Sequence, residues 1–308
     1  MKVLVQNYAT SSFTEPLYIH ETLNALDGAE SHLWKDGSAS VYDMFDITKP
    51  DLFITHYSLL TEDVVKYMSN HKNIQMILNV TGAQQAHLDT VDSVLLDHKV
   101  KAPFLFTNQP MLLNKLIQRK TKLVSVMHGA DVFLSRQTPN LPDYEIELGI
   151  VTDYSVGKRL DSLTENYETY HVLTQDESLE ADVDILMPAF HMHGAYPKYK
   201  RIVITTKDMG LPQSFFDAAF YGNSVVYHSK YDSQTTRMNT TIQSLLKTSE
   251  SVSLTTDKIM NSKLNSESVR RSVATGHTCL HRVKRLLSSL KCSELERSIS
   301  QMIKEWQS

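Results

Sequence analysis

The chain contains 308 residues, of which 41% are hydrophobic and 21% are charged, and its formal net charge is −4. This length suits two domains with sizeable cores, and the composition excludes a disordered or fibrous protein. The weak negative charge argues against a protein dedicated to binding nucleic acid. Because Cys279 and Cys292 are the only cysteines, there is no disulfide framework and no cysteine metal site, and we expect a cytoplasmic protein. We expect no signal peptide, since Met1–Val5 is too short an apolar run for one, and no membrane span, since no run approaches the roughly eighteen apolar residues that a span needs.

The first half of the chain alternates apolar, β-branched runs with helical patterns, which predicts a parallel sheet with helices on both faces. The predicted strands are Lys2–Gln6, His32–Trp34, Asp51–Thr55, Ile74–Val80, Phe104–Thr107 and Leu123–Met127. The predicted helices are Thr14–Leu26, Thr61–Ser69 with Thr61 as its cap, and Leu112–Arg119. Most strands run directly into polar turns, and these turns should meet at the carboxyl edge of the sheet, where such folds bind their ligands.

Composition changes at Ser135–Asp143, a polar segment with two prolines that we interpret as a linker. With this linker as the boundary, we predict a first domain over 1–140, a second over 141–292, and a terminal helix over 293–308 that packs back toward the first domain. The strands predicted beyond the linker are Ile146–Thr152, Tyr170–Leu173, Val183–Met187, Arg201–Thr206 and Val225–Tyr227. The helices predicted there are Gln213–Tyr221, Thr235–Leu246, Glu267–Leu290 and Ser293–Trp306.

The segment 200–229 combines a strand, a tight turn, a helix and a second strand. The helix is predicted to end at Gly222 and Asn223, residues typical of a helix C-terminus. A unit of this kind directs the free N–H groups of the helix N-terminus at the crevice above the sheet, which makes an anion site. Asp217 lies one turn into the helix, where a carboxylate could accept hydrogen bonds from a ribose. An ordinary strand–helix unit with a solvated Asp217 is the alternative.

Two stretches resemble known sequence patterns. FFDAAFYGNSVVY, residues 215–227, resembles the donor-site segment of GT-B glycosyltransferases. HTCLHRVKRLL, residues 277–287, resembles the closing helix of the branch that includes spore-maturation-type glycosyltransferases. The resemblance implies an α/β fold of two doubly wound, Rossmann-like domains that face a central crevice, with a helical tail.

The resemblance also implies a nucleotide-diphosphate sugar as donor substrate, by family habit a UDP-sugar, and no metal or other required cofactor. Asp217 matches the acid that holds the nucleotide ribose, and Gly210–Ser214 matches the loop that faces the diphosphate. Cations beside strands would offset the charge of the leaving group. The resulting candidate donor-binding residues are Asp217, Gly210, Leu211, Pro212, Gln213, Ser214, Lys207, Arg159 and Lys158. Because Met209 stands where many retaining members have a second acid, inversion and retention both remain open.

The first domain should supply the acceptor side and the catalytic base. His128-Gly129-Ala130-Asp131 directly follows a predicted buried strand, and Gly129 permits a bend that would turn His128 or Asp131 into the crevice. We predict Asp131 as the base, ahead of His128 and of Glu15 at the start of the first helix. A simple turn around a hydrogen-bonded His128, and a Glu15 that only complements the helix dipole, are the alternatives.

The acceptor is not encoded in any motif. A glycan or lipid-linked saccharide of a cell envelope fits the spore-maturation-type branch. A modified base in DNA is the second class, because phage DNA glycosyltransferases share this fold; the protein would then act in the host cytoplasm. The DNA option is favoured by a basic C-terminal segment, from Lys258 to Lys291, in which Glu267 is the only acid. A sugar-nucleotide epimerase of the same fold and a non-catalytic nucleotide-sugar-binding protein are further alternatives.

Overall fold

The computed structural model describes residues 1–7, 15–108, 121–135, 146–156, 164, 167–174, 177–186, 192, 194–206, 212–229 and 266–307. The chain divides into two compact units, one formed by Met1–Met127 with Cys279–Ser308 and the other by His128–Thr278. The divisions therefore fall at 128 and 279, whereas the sequence analysis placed them at 141 and 293. The predicted helices Leu112–Arg119 and Thr235–Leu246, and all of the predicted linker except Ser135, lie outside the described residues.

The strands of both units are numbered in chain order. They are β1 Lys2–Asn7, β2 Glu30–Lys35, β3 Leu52–His56, β4 Gln75–Asn79, β5 Leu105–Thr107, β6 Leu123–Ser125, β7 Ile146–Thr152, β8 Tyr170–Thr174, β9 Ile185–Leu186, β10 Tyr199–Thr206 and β11 Ser224–Ser229. The helices are α1 Glu15–Asn24, α2 Val41–Thr48, α3 Glu62–Asn70, α4 Gln85–Asp97, α5 Val132–Ser135, α6 Gln213–Phe220, α7 Ser266–Gly276, α8 Cys279–Leu290 and α9 Ser293–Gln307.

The first unit is built on a six-stranded parallel sheet with the order β2-β1-β3-β4-β5-β6. Its inner strands are buried on both faces, as in β1, where Val3, Leu4 and Val5 are at most 1% exposed. Aromatic side chains fill one face of the core, and the rings of Phe45 and Phe53 meet edge to face with centroids 4.9 Å apart. The direction of the chain order reverses between β1 and β3, which is where doubly wound sheets place their ligand site.

Two helices of this unit escaped the sequence analysis. α2 is short, and capping interactions define both of its ends. Ser40 Oγ accepts the N–H of Asp43 at 3.1 Å, and Lys49 ends the helix in the left-handed conformation. α4 buries Leu88, Val91 and Leu95 at helical spacing, but in the sequence Leu88 and Val91 each stand between polar residues. The predicted N-cap of α3 is confirmed, because Thr61 Oγ1 accepts the N–H of Val64.

The second unit is built on a five-stranded parallel sheet with the order β11-β10-β7-β8-β9. The chain order reverses between β7 and β10, so the expected ligand edge lies at the ends of these two strands. α6 follows β10 and buries Phe215, Phe216, Ala218 and Ala219. It ends as predicted, since Gly222 adopts a φ of +86° and its N–H donates to the carbonyl of Ala219 at 3.1 Å.

The C-terminal segment forms three helices where two were predicted. The predicted helix Glu267–Leu290 is wrong as a continuous element, because the backbone leaves the helix at His277 and Thr278. There Ala130 donates its N–H to the carbonyl of His277 at 2.8 Å and pairs with Thr278 in a parallel bridge. The last helix, α9, is confirmed within one residue of its predicted bounds and buries Leu295, Ile299 and Ile303.

The expected fold class is confirmed: each unit is a doubly wound α/β domain, and two helices, α8 and α9, form the C-terminal tail. Among the residues that the structure describes, no helix combines the length and the apolar character needed to cross a bilayer.

Candidate functional site

Glu15 is the first residue of α1 and lies at the carboxyl edge of the first sheet. Its side chain is buried, with 7% of the residue exposed. Each carboxylate oxygen receives a donor: the hydroxyl of Tyr18 donates to Oε1 at 3.3 Å, and Nδ2 of Asn79 donates to Oε2 at 2.5 Å. These bonds favour the carboxylate, but burial outweighs them and raises the pKa of Glu15 to about 7. This residue can therefore exchange a proton near neutral pH.

Asn79 is itself held by a network at the ends of neighbouring strands. Its Oδ1 accepts the N–H of Thr81 at 2.9 Å, and Oγ1 of Thr81 accepts the N–H of Asn108 at 3.1 Å. Nε2 of His56 lies 3.0 Å from the carbonyl of Thr81, and because a carbonyl only accepts, this ring nitrogen carries the proton. Burial lowers the pKa of His56, which favours the neutral ring.

α8 supplies further groups beside Tyr18. Tyr18 and Cys279 are fully buried, and burial raises the pKa of Tyr18 well above its usual value. The guanidinium of Arg282 is electrostatically coupled to Tyr18, and its partial burial lowers the pKa of Arg282 to about 10. Arg282 lies in the stretch HTCLHRVKRLL, residues 277–287, whose pattern was noted in the sequence. This arginine thus lies in the first unit, close to the Tyr18–Glu15 pair.

Asp131 and His128, the two preferred candidates for the base, belong to the unit His128–Thr278 and not to the unit that contains Glu15. Asp131 is 1% exposed, and its Oδ1 accepts the N–H of Phe133 at 3.0 Å at the start of α5. His128 is half-buried. The carboxylate of Asp131 thus stabilises a local turn, which is the structural alternative to a catalytic role.

Asp217 holds the turn that contains Asp131. Asp217 is 3% exposed, and its Oδ1 accepts the backbone N–H of Asp131 at 2.8 Å and Nε2 of Gln213 at 3.1 Å. Nε2 of Gln213 also donates to the carbonyl of Gly129 at 2.5 Å. In these contacts Asp217 binds one backbone N–H and one side-chain amide of the protein itself. Asp217, which the sequence analysis expected to bind the ribose, thus positions the 128–131 turn through these contacts.

The same turn packs against the break between α7 and α8. A Cβ atom on Gly129 would lie 2.7 Å from the backbone carbon and oxygen of Thr278, so the turn needs glycine for this approach. The ring of Phe216 stacks on that of His277, with centroids 6.1 Å apart. The HGAD turn, the helix of the first resembling stretch, and the first two residues of the second stretch, His277 and Thr278, therefore meet in one cluster of the second unit.

The rest of the predicted donor site is partly described. Pro212, Gln213 and Ser214 lie half-buried at the N-terminus of α6. The other candidates lie outside the described residues: Gly210, Leu211, Lys207, Arg159 and Lys158. No set of three metal-binding side chains occurs among the described residues.

The sequence analysis missed a polar set at the ends of β7 and β10. Thr206 Oγ1 donates to Oδ2 of Asp153 at 2.5 Å, and the hydroxyls of Tyr154 and Thr205 lie 2.6 Å apart. This set lies where the strand order of the second sheet reverses. The Thr-Asp-Tyr run at the end of β7, residues 152–154, was the available signal, and it resembles the polar strand ends that were noted in the first half.

No family model matches the chain, and no curated protein matches it in sequence. Solved structures match it in fold. MnaA of S. aureus in complex with UDP has a TM-score of 0.54 at 8% identity, over 96% of this chain and 97% of that one. The chain has the GT-B fold. Sucrose-phosphate synthase of Thermosynechococcus elongatus matches with a TM-score of 0.54 at 10% identity, over 99% and 98% of the two chains. A Listeria monocytogenes protein assigned as a UDP-N-acetylglucosamine 2-epimerase matches with a TM-score of 0.52 at 10% identity, over 95% and 96%.

Proposed function

We propose that this protein is a GT-B enzyme that acts on a nucleotide-diphosphate sugar, with a UDP-sugar as the first candidate. The proposal is supported by the likeness in fold, over nearly the whole chain, to MnaA solved with UDP and to sucrose-phosphate synthase. Polar residues at the strand-order reversal of both sheets also support it, because ligands of doubly wound folds bind there. The reaction we propose is transfer of the sugar to an acceptor hydroxyl.

The burial and the raised pKa of Glu15 support a catalytic role for this residue. Transfer with inversion requires a base that takes the proton of the acceptor hydroxyl while its oxygen bonds to the anomeric carbon and the bond to the diphosphate breaks. A buried carboxyl with a pKa of about 7 suits this step. We therefore place Glu15 ahead of Asp131 and His128, since the carboxylate of Asp131 caps α5.

On the donor side we propose that the diphosphate faces Gly210–Ser214 at the start of α6, with Lys207, Lys158 and Arg159 as the cations that offset its charge. Asp217 remains part of this proposal as a positioning residue. Through its bond to the N–H of Asp131 it fixes the 128–131 turn beside the N-terminus of α6.

For the acceptor we propose a saccharide rather than a modified base in DNA. Three of the described basic residues of the C-terminal segment lie against other groups of the protein, whereas Arg285 and Lys291 are exposed. Arg270 and Arg271 each lie 3.8 Å from a carboxylate oxygen of Glu267, and Arg282 is partly buried beside Tyr18. The net charge of the chain, −4, is also unlike that of a protein that binds a polynucleotide through its phosphates.

Epimerisation of a UDP-sugar is the second candidate, supported by the likeness in fold to the Listeria protein assigned as a UDP-N-acetylglucosamine 2-epimerase. One experiment separates the candidates. The protein is incubated with UDP-glucose or UDP-N-acetylglucosamine, with and without a panel of saccharide acceptors, and the products are followed by proton NMR.

Transfer predicts a new glycoside only when an acceptor is present, with at most slow hydrolysis of the donor alone. Epimerisation predicts a new UDP-sugar without any acceptor. Binding in calorimetry without turnover would indicate a non-catalytic nucleotide-sugar-binding protein. If no nucleoside diphosphate or UDP-sugar binds, the proposed function is wrong.

A further inference from the structure

We propose that Asn79 and Tyr18 are positioning residues that hold the two oxygens of the Glu15 carboxyl for proton exchange with the substrate. This inference rests on the proposed function, because it gives Glu15 a part in the reaction. It concerns residues that neither the sequence patterns nor the likeness in fold single out. Asn79 is 64 positions from Glu15 in the chain, and the two meet only because α1 begins beside the end of β4.

The orientation of the Asn79 amide is determined by its surroundings. Its Oδ1 accepts the N–H of Thr81, so its Nδ2 must face Glu15. A flipped amide would place two acceptor oxygens against each other and leave the N–H of Thr81 without this partner. Thr81 is anchored in turn by Asn108, so the donor to Oε2 of Glu15 is set by a chain of bonds between strand ends.

Tyr18 provides the second donor from within α1, one helical turn after Glu15. Its hydroxyl is buried and donates to Oε1 of Glu15 at 3.3 Å. On the other side, Tyr18 lies near Arg282 and Cys279 of α8. The charged and titratable groups around the Glu15 carboxyl in the described elements are therefore Tyr18 on α1 and, through Tyr18, Arg282 and Cys279 on α8.

Both donors stabilise the ionised form of Glu15, so removing either one makes its proton harder to release. Asn79→Ala and Tyr18→Phe should each raise the pKa of Glu15 by about one unit, the usual effect of one hydrogen bond to a charged group. Tyr67→Phe is the matched control. It removes a hydroxyl that bonds Asp46 at 3.0 Å in the same unit, and should leave Glu15 unchanged.

The first measurement is independent of activity. Carboxyl-labelled glutamate is introduced into the full chain, Glu15 is assigned by the loss of its signal in Glu15→Gln, and its carbon-13 shift is followed with pH. We expect a midpoint at about 7 in the unchanged protein and a midpoint about one unit higher in Asn79→Ala and Tyr18→Phe. Unchanged midpoints in both variants would overturn the inference. If Asn79→Ala does not fold, Tyr18→Phe, which removes a single oxygen atom, carries the test.

The second measurement is the pH dependence of single-turnover transfer from a saturating UDP-sugar. If Asn79 and Tyr18 act through Glu15, the acidic limb of the profile should move upward by the same amount as the NMR midpoint. A shifted midpoint with an unmoved limb would overturn the catalytic part of the inference. Without any reaction of UDP-sugars the proposed function fails, while the NMR titration still decides whether Asn79 and Tyr18 set the state of Glu15.

Discussion

The carboxyl edges of the two sheets use acidic side chains in opposite ways. In the first unit, Glu15 is bonded by the side chains of Tyr18 and Asn79, and its burial raises its pKa to about 7. In the second unit, Asp217 accepts a backbone N–H and Asp131 does the same within its own turn. An acid at the edge of a doubly wound sheet is therefore not catalytic by position alone. The partners of each carboxylate show whether it is held by side chains, as Glu15 is, or itself holds the backbone, as Asp217 and Asp131 do.

The largest expected effect is on turnover. Glu15→Gln should lower the rate of sugar transfer roughly 10²–10⁴-fold, the usual contribution of a general base, and leave donor binding unchanged. Asp131→Asn keeps a side-chain oxygen that can accept the N–H of Phe133 and should retain most of the activity. Single-turnover rates with saturating UDP-sugar measure both. A larger loss in Asp131→Asn than in Glu15→Gln would reverse the comparison.

Asp217→Ala should reduce the free energy of unfolding by about 3 kcal/mol, because the buried N–H of Asp131 and the half-buried Nε2 of Gln213 lose their carboxylate acceptor. Asp51→Ala is the matched control: Oδ2 of Asp51 accepts the N–H of Lys2 at 2.8 Å, but at an exposed position where water can replace it. Urea unfolding followed by circular dichroism compares the two variants. Equal losses would show that the turn around Asp131 does not depend on Asp217.

Glu15→Gln, unlike Asp217→Ala, should stabilise the folded protein at high pH. The pKa of Glu15 is about 7 in the folded protein against 4.5 for the ordinary side chain, so the folded state binds this proton more tightly than the unfolded chain does. Stability contributed by Glu15 is therefore lost as pH rises from 4.5 to about 7. The glutamine variant should be more stable than the unchanged protein above pH 7, by at most about 3 kcal/mol. Urea titrations on both sides of this pH window test it, and a variant that is less stable throughout would contradict it.

Gly129→Ala tests how closely the 128–131 turn packs against Thr278 within the second unit. The added Cβ would meet the backbone of Thr278 at 2.7 Å, and neither backbone can yield without breaking the bond from Ala130 to His277. A loss of about 1–3 kcal/mol is expected, as for other overpacked sites. Gly194→Ala is the control, because its added Cβ would meet nothing within 4 Å. Thermal unfolding of the two variants should differ, and equal melting temperatures would argue against a close approach at Gly129.

The fold was largely predictable from the sequence, because its strands are short, continuous apolar runs. β7 has its predicted bounds, Ile146–Thr152, and most other strands differ by one or two residues. The errors occurred where tertiary contacts override local pattern. Ala130 interrupts the predicted helix Glu267–Leu290 through a contact more than a hundred residues away in sequence. α4 was missed because Leu88 and Val91 each stand between polar residues, so most of its apolar face does not form a continuous run.

The candidate site was less predictable. Glu15 was identified from its place at the start of the first helix, and Asp217 from its place in the helix of the resembling segment, but the sequence could not distinguish their environments. The difference depends on Asn79 meeting Glu15 and on Asp131 meeting Asp217, pairs that are 64 and 86 positions apart. Burial of a carboxyl and the identity of its donors are properties of the assembled fold, and spacing along the chain does not report them.

The most direct test of the account is the pH dependence of single-turnover sugar transfer by the unchanged protein and by Glu15→Gln, with the UDP-sugar saturating. If Glu15 is the base, the rate should fall below an apparent pKa of about 7, because protonation removes the base. The residual rate of Glu15→Gln should lack this limb. A limb near 7 that persists in Glu15→Gln, or a rate in the unchanged protein that does not vary across this range, would contradict the account.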